Sequence, residues 1–377
     1  VKITFPHMGY SYIAFKMLIS DLGYEPVIPP EPSKRTFDLG VRYAPEFACI
    51  PFKVLLGTYL ETIEMGAEMA ISSGGVGPCR AGYYGVMHQK ILDELGCNFT
   101  VLIFDPPRSN ILDFIKKLRM VKPRRMSWRR FWQLIKKGYT KLEAIDEIEY
   151  LMYEVMPYET VKGEAEKAFK KGLSMLDQAY TLEEIEEARH EARKLISRVP
   201  QDRSRDPLRV GIVGEIYVVL EPAVNFYIQK LLGERGVYSN RSIWLTSYTQ
   251  KNVVKEGNVG ERDIHKVAHP YLGVMIGGHG INSIGETVLY ARDGYDGVIQ
   301  LAPFSCIPEI VAKGILPRVS RELGIPVMTI FIDEQTAVTG VLTRLEAFLD
   351  LLQRKREQKK AREKRLAVSS PAGRNSW

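Results

Sequence analysis

Leu208-Arg209-Val210-Gly211-Ile212-Val213-Gly214 is an apolar run that ends on a glycine, and residues 222–232 after it carry helical periodicity. A short buried run followed by a helical pattern is the opening of a βαβ unit. Further apolar runs at 297–301 and 325–332 continue the pattern, and a helix at 343–353 closes it. The first hundred residues are written the same way, with strands at 2–6, 25–30, 68–72 and 100–104 and helical stretches at 12–22, 54–65 and 85–95. Strands that alternate with helices of this length argue for parallel sheets, so the expected class is α/β with one architecture used twice.

Between these halves, residues 111–205 lose the strand signal. Trp128, Phe131, Trp132 and Ile135 recur at i, i+3, i+4 and i+7, one face of a helix, so the aromatics are expected to pack on the protein and leave the neighbouring cations solvated. Thr181 with Glu184 three residues on reads as a capping box, opening a charged helix that runs to about Ser197. The expected organisation is an α/β domain at 1–110, a helical insertion or linker at 111–207, a second α/β domain at 208–352 and a basic tail at 353–377.

The composition, 45% hydrophobic and 26% charged in 377 residues, is that of an ordinary globular chain long enough for two cores. No apolar run reaches the length of a membrane span. Val1-Lys2-Ile3-Thr4-Phe5-Pro6 reads as a first strand, without the pattern of a signal peptide, and a cytoplasmic location is expected. The net charge of +7 comes mostly from residues 353–366, with eight Lys/Arg against two Glu. Residues 116–137 add ten Lys/Arg and no acid, offset by the acid-rich stretch that follows. A nucleic-acid partner is therefore not expected. The tail reads as a solvated helix extension that frays towards Ser370-Pro371-Ala372-Gly373, and the 116–137 run as a solvated face or a docking surface for an acidic partner.

Three of the four cysteines stand where the chain would leave or enter an element: Ala48-Cys49-Ile50-Pro51, Gly77-Pro78-Cys79-Arg80-Ala81-Gly82 and Pro303-Phe304-Ser305-Cys306-Ile307-Pro308. Ligands of open α/β sheets bind beyond the carboxyl ends of the strands. Cys79 follows the strand at 68–72 and Cys306 the strand at 297–301, so two facing halves could bring Cys49 and Cys79 opposite Cys306. Helix N-termini after such loops favour an anionic group, and thiolates hold iron–sulfur clusters. The spacing matches no compact ligand motif, which leaves independent buried thiols as one alternative and a zinc site completed by His88 or His279 as another. Cys97, in Leu95-Gly96-Cys97-Asn98-Phe99, enters a strand and reads as a packing residue. Glu215 and Tyr217 follow the strand at 208–214 and are weak candidates for acid/base or ligand-binding roles, with loop capping as the plain alternative. Gly277-Gly278-His279-Gly280 lacks the Lys-Ser/Thr of a phosphate loop.

Tyr43-Ala44-Pro45-Glu46-Phe47-Ala48-Cys49-Ile50-Pro51-Phe52-Lys53 and Gly74-Gly75-Val76-Gly77-Pro78-Cys79-Arg80-Ala81-Gly82 resemble the 2-hydroxyacyl-CoA dehydratase (2-hydroxyglutaryl-CoA dehydratase D-component) superfamily. So do Cys306-Ile307-Pro308-Glu309, Ile325-Pro326, Asp333-Glu334 and Thr343-Arg344-Leu345-Glu346-Ala347-Phe348. Gly214-Glu215-Ile216-Tyr217, with Glu221-Pro222 and Asn225, is similar to its acyl-CoA dehydratase activase-related or CoA protein activase branch. The resemblance covers both α/β halves. It implies two flavodoxin-like, doubly wound parallel-sheet domains with an iron–sulfur cluster of 4Fe–4S type between them, and Cys49, Cys79 and Cys306 as its ligands. It also implies low-potential electrons from a separate ATP-dependent activase with its own cluster, used for dehydration of an acyl-CoA substrate. A double-cubane reductase of small molecules, a homo- or heterodimer with a related subunit, and a non-catalytic ligand-binding or scaffold protein are the further expectations. The helical block and the basic tail depart from the dehydratases.

Overall fold

The computed structural model describes residues 1–75, 77–107, 110–252 and 259–369, so Val76 and the tail from Ser370 onwards lie outside the described residues. The first half runs β1 (Lys2–Thr4), α1 (Tyr12–Asp21), β2 (Glu25–Pro26), α2 (Lys34–Tyr43), α3 (Ile50–Glu64), β3 (Met69–Ser73), α4 (Tyr84–Glu94) and β4 (Thr100–Phe104). A helical block follows: α5 (Ile111–Val121), α6 (Trp128–Val155), α7 (Glu164–Gln178) and α8 (Leu182–Ser197). The second half comprises β5 (Arg209–Gly214), α9 (Ile216–Leu220), α10 (Ile228–Glu234), β6 (Tyr238–Arg241), α11 (Leu245–Asn252) and α12 (Val259–Ala268). It ends with α13 (Gly280–Arg292), β7 (Gly297–Pro303), α14 (Ile307–Leu323), β8 (Val327–Ile332) and α15 (Val338–Ser369).

The strands form two separate parallel sheets, ordered β2-β1-β3-β4 and β6-β5-β7-β8, each covered by helices. The fold is α/β, and both sheets follow the doubly wound order in which the strand sequence reverses beside the first strand. The registers Ile3↔Met69 and Gly214↔Leu301 put those reversals between β1 and β3 and between β5 and β7. The crevice at the carboxyl ends of those strands is where such folds bind ligands.

One apolar cluster runs through both halves, joining Ile50, Leu56 and Tyr59 of α3 to Val210 and Ile212 of β5, Ile299 of β7 and Leu345 of α15. The helical block has its own core. Ile145, Ile148 and Met152 of α6 pack with Ile13 and Met17 of α1 and with Phe169 and Ile185 of α7 and α8. Glu149 of α6 then takes both guanidinium nitrogens of Arg241 on β6 at 2.9 Å, a fully buried bidentate pair that ties the block to the second sheet.

Backbone chemistry moves several expected boundaries. Only Glu25–Pro26 pairs as a strand, because Pro29 and Pro30 have no N–H to give a ladder. Residues 222–227 are turns instead of helix. The Asn225 amide donates to the carbonyls of Val218 and Val219 and its oxygen accepts from Ile228 N, so the helix starts only there. The closing helix runs from Val338 to Ser369, starting ahead of the expected 343 and continuing into the basic tail as the expected helix extension, and β6 had no expected counterpart. The aromatic face of α6 also differs: Phe131 is buried, but Trp128 and Trp132 are 40% and 51% exposed, set edge-on against it. Leu134 takes the core position that the period assigned to the tryptophans.

Candidate functional site

Cys49, Cys79 and Cys306 share one structural role. Each is the N-cap of a helical segment: Cys49 of α3, Cys79 of the 3-10 turn Arg80–Tyr83 and Cys306 of α14. All three have extended backbone at the cap, and their sulfurs meet backbone N–H groups of the turn that follows. Proline at the first turn of α3 and α14 costs no hydrogen bond there and fixes the start of both helices. Cys49 and Cys306 are buried and Cys79 is half-buried, all as free thiols.

Cys79 and Cys306 line one cleft, and Cys49 does not line it. Glu215, at the end of β5, acts electrostatically on each of the three thiols, and Cys49 acts on Cys306. Burial pushes all three thiols above their ordinary range, and the N–H groups of Phe52, Ala81 and Glu309 at the helix starts pull back towards the thiolate. The Cys49 sulfur is hydrogen-bonded to the hydroxyl of Tyr84, the first residue of α4. Arg80 lowers the thiols of Cys49 and Cys79.

Helix packing delivers Cys49 to this place. Gly40 of α2 and Gly57 of α3 cross without side chains; a Cβ on Gly40 would stand 1.9 Å from the Lys53 carbonyl, and one on Gly57 1.9 Å from that of Thr36. Cys306 is fixed from behind. Buried Glu309 accepts from Ser283 Oγ at 2.9 Å and Gln300 Nε2 at 2.8 Å, binding the first turn of α14 to α13 and β7. Burial raises the Glu309 carboxyl to about 7.

A cleft of about 550 Å³ opens beside the thiols, lined among others by Gly74, Gly75, Cys79, Glu215, His279 and Cys306. Its second wall is the glycine loop ahead of α13. Gly277 (φ +78°) and Gly278 (φ +51°) occupy left-handed backbone, and a Cβ on Gly277 would meet the Cys79 nitrogen at 2.6 Å. Only residues without side chains let this loop approach Cys79 so closely.

The remaining candidates resolve as follows. Glu215 caps α9 by accepting from Val218 N at 3.0 Å, and burial raises its carboxyl to about 7, so it both caps a helix and lines the cleft. Tyr217 lies in the shared core, near Tyr59, and does not line the cleft. His88 is a core residue: its Nε2 stands 3.0 Å from the Phe52 carbonyl, its ring packs on Phe52, and burial lowers its pKa to about 4. His279 lines the cleft, with its ring against Tyr248. Cys97 packs against the shared core. Among the described residues, no group of three or more His, Cys, Asp or Glu side chains is set to hold a single metal ion, and the zinc alternative with His88 has no support. Sequence reading passed over Arg80, Tyr84 and Ser305; Arg80 and Ser305 were in view only as neighbours of cysteines.

No helix among the described residues is long and apolar enough to cross a membrane. A family model described as a CoA enzyme activase uncharacterised domain matches residues 6–240, a span that takes in the first α/β half beyond β1, the helical block, and β5 and most of β6 of the second half. No curated protein matches the chain.

Proposed function

We propose, for a chain that belongs to the family of the CoA enzyme activase uncharacterised domain, that it is an iron–sulfur redox protein working with an ATP-dependent activase. Cys49, Cys79 and Cys306 would hold a cluster of 4Fe–4S type between the two halves. The observation that carries this reading is the common role of the three cysteines: each caps a helix start, and Cys79 and Cys306 bring the two halves to one cleft. The donor set fits the group. Soft thiolates are the ligands of such clusters, and the ligated corners of a cluster stand farther apart than the donors of one ion. Backbone N–H groups at three helix starts and the bare glycine loop offer positive ends and close approach to an anionic group.

A cluster held by Cys49, Cys79 and Cys306 would supply low-potential electrons to a substrate bound in the cleft. The protein's own part is to bind, orient and exclude water. Glu309 and Gln300 set the direction of Cys306, the Tyr84 hydroxyl meets the Cys49 sulfur, and Glu215 holds or releases a proton near neutral pH at the cleft wall. A cleft of about 550 Å³ suits the acyl end of an acyl-CoA or another small molecule. Purification without oxygen tests the reading. A brown protein with iron and sulfide supports it, and a colourless protein of full stability refutes it.

A ligand-binding protein without redox turnover is the second reading. It is favoured by the cleft itself, which Cys79 and Cys306 line and Cys49 does not.

A further inference from the structure

Arg80 immediately follows Cys79, and its guanidinium reaches the other two cysteine loops. Nη1 donates to the Phe47 carbonyl at 2.9 Å, two residues before Cys49, and Nη2 donates to the Ser305 carbonyl at 2.5 Å, one residue before Cys306. Ser305 Oγ donates to the same Phe47 carbonyl at 3.1 Å. Ser305 also holds φ at +60°, left-handed backbone that an L-residue with a side chain keeps only when its surroundings enforce it. Phe47 and Phe304, by contrast, leave their rings 72% and 57% exposed, so ring packing does not anchor these two loops. The contacts that cross between the loops are polar and come from the Arg80 guanidinium and the Ser305 hydroxyl.

We propose that Arg80 is a positioning residue for the three-thiol site: its two-pronged guanidinium staples the Cys49 and Cys306 loops to Cys79 and so closes the two halves over the sulfurs. The inference deepens the cluster reading and rests on it, although the staple itself needs no iron. The geometry requires a planar fork with two donors pointing at two carbonyls. A lysine keeps the charge but cannot supply both bonds in fixed directions. Its positive charge also favours the thiolate forms of Cys49 and Cys79, a contribution that lysine would retain. Arg80→Lys therefore separates the staple from the charge.

The experiment compares full-length wild type, Arg80→Lys and Arg80→Ala. Iron-free protein is treated with a maleimide under native conditions, and the modification rate of buried Cys306 is followed by mass spectrometry, with urea unfolding to check the fold. Loss of charge-assisted bonds of this kind shifts a local opening equilibrium by about tenfold or more. Cys306 is accordingly expected to react about tenfold faster in both variants while the urea midpoint changes little. Protein purified without oxygen is then compared by iron content and low-temperature EPR. Arg80→Lys is expected to lose iron and change its line shape, because charge alone does not restore the staple. Wild-type Cys306 protection and wild-type spectra in both variants would overturn the inference. A wild type without iron would sink the cluster reading, and the maleimide arm would still decide for or against the staple. Should Arg80→Ala fail to fold, Arg80→Lys carries the same comparison.

Discussion

His7 Nδ1 lies 2.6 Å from Glu221 Oε2, so the loop after β1 and the loop after α9 are joined by a buried pair that ties the two halves together. The same carboxylate accepts from Gly9 N at 2.8 Å and from Ala223 N at 3.1 Å. Glu221→Ala strands one buried imidazole and two backbone donors at once. The expected loss is about 3 kcal/mol, because removing one partner of a buried pair leaves the other uncompensated. Urea unfolding measures it, and a loss below about 1 kcal/mol, the range of an exposed pair, would contradict this account of the junction.

The crossing of α2 and α3 offers a second test. Gly57→Ala would put a methyl 1.9 Å from the Thr36 carbonyl, and backbone cannot step aside as a flexible side chain can. The expected destabilisation is about 3 kcal/mol or more, as for severe overpacking. Because α3 begins at Cys49, the variant is also expected to raise the reactivity of that thiol in the folded protein. Wild-type stability would contradict the close backbone approach of α2 and α3 at Gly57.

His88 predicts a pH dependence. Its folded pKa is lowered to about 4 from 6.5, so between those values the unfolded chain binds the proton more readily than the native one. Stability from this site is fully present above pH 6.5 and is lost as the pH falls towards 4, by at most about 3 kcal/mol. His88→Gln is expected to flatten the slope of stability against pH in that window, whatever its absolute stability. An unchanged slope would mean that the native imidazole takes up its proton freely.

Glu215 is expected to control the reactivity of the thiols. Burial raises it to about 7, so it is ionised above that pH, and its charge then raises all three thiols. Glu215→Gln keeps an oxygen to cap Val218 N and removes the charge. Half-buried Cys79 should alkylate at least about twofold faster at pH 8.5 in this variant, because the thiolate is the reactive species. An equal or slower rate would show that Glu215 does not act on it.

How much of this was legible in the sequence follows from what each feature depends on. β4, Thr100–Phe104, was read at both ends because a β-branched run bounded by Asp105-Pro106-Pro107 carries its own start and stop. The capping box at Thr181 and Glu184 was equally local, and α8 begins where it requires. The turns at 222–227 were missed because Asn225 reaches back to Val218 and Val219 through its side chain, which periodicity does not register. Trp128 and Trp132 share the period of Phe131, and only the packing partners decided which of them was buried. The cysteine loops were visible through their prolines and glycines. Their shared role as helix caps, and the reach of Arg80 across 225 residues to Ser305, depend on how the halves face each other.

The central claim is that thiols from both halves hold one cluster. The most direct measurement is iron and acid-labile sulfide per chain, with low-temperature EPR after reduction, on protein purified without oxygen. Wild type, Cys79→Ser, Cys306→Ser and Cys97→Ser should be compared. The account predicts a reducible cubane-type signal in wild type and Cys97→Ser that is lost from both Cys79→Ser and Cys306→Ser. No iron in wild type even after reconstitution, or a signal that survives loss of Cys79 and Cys306, would contradict it.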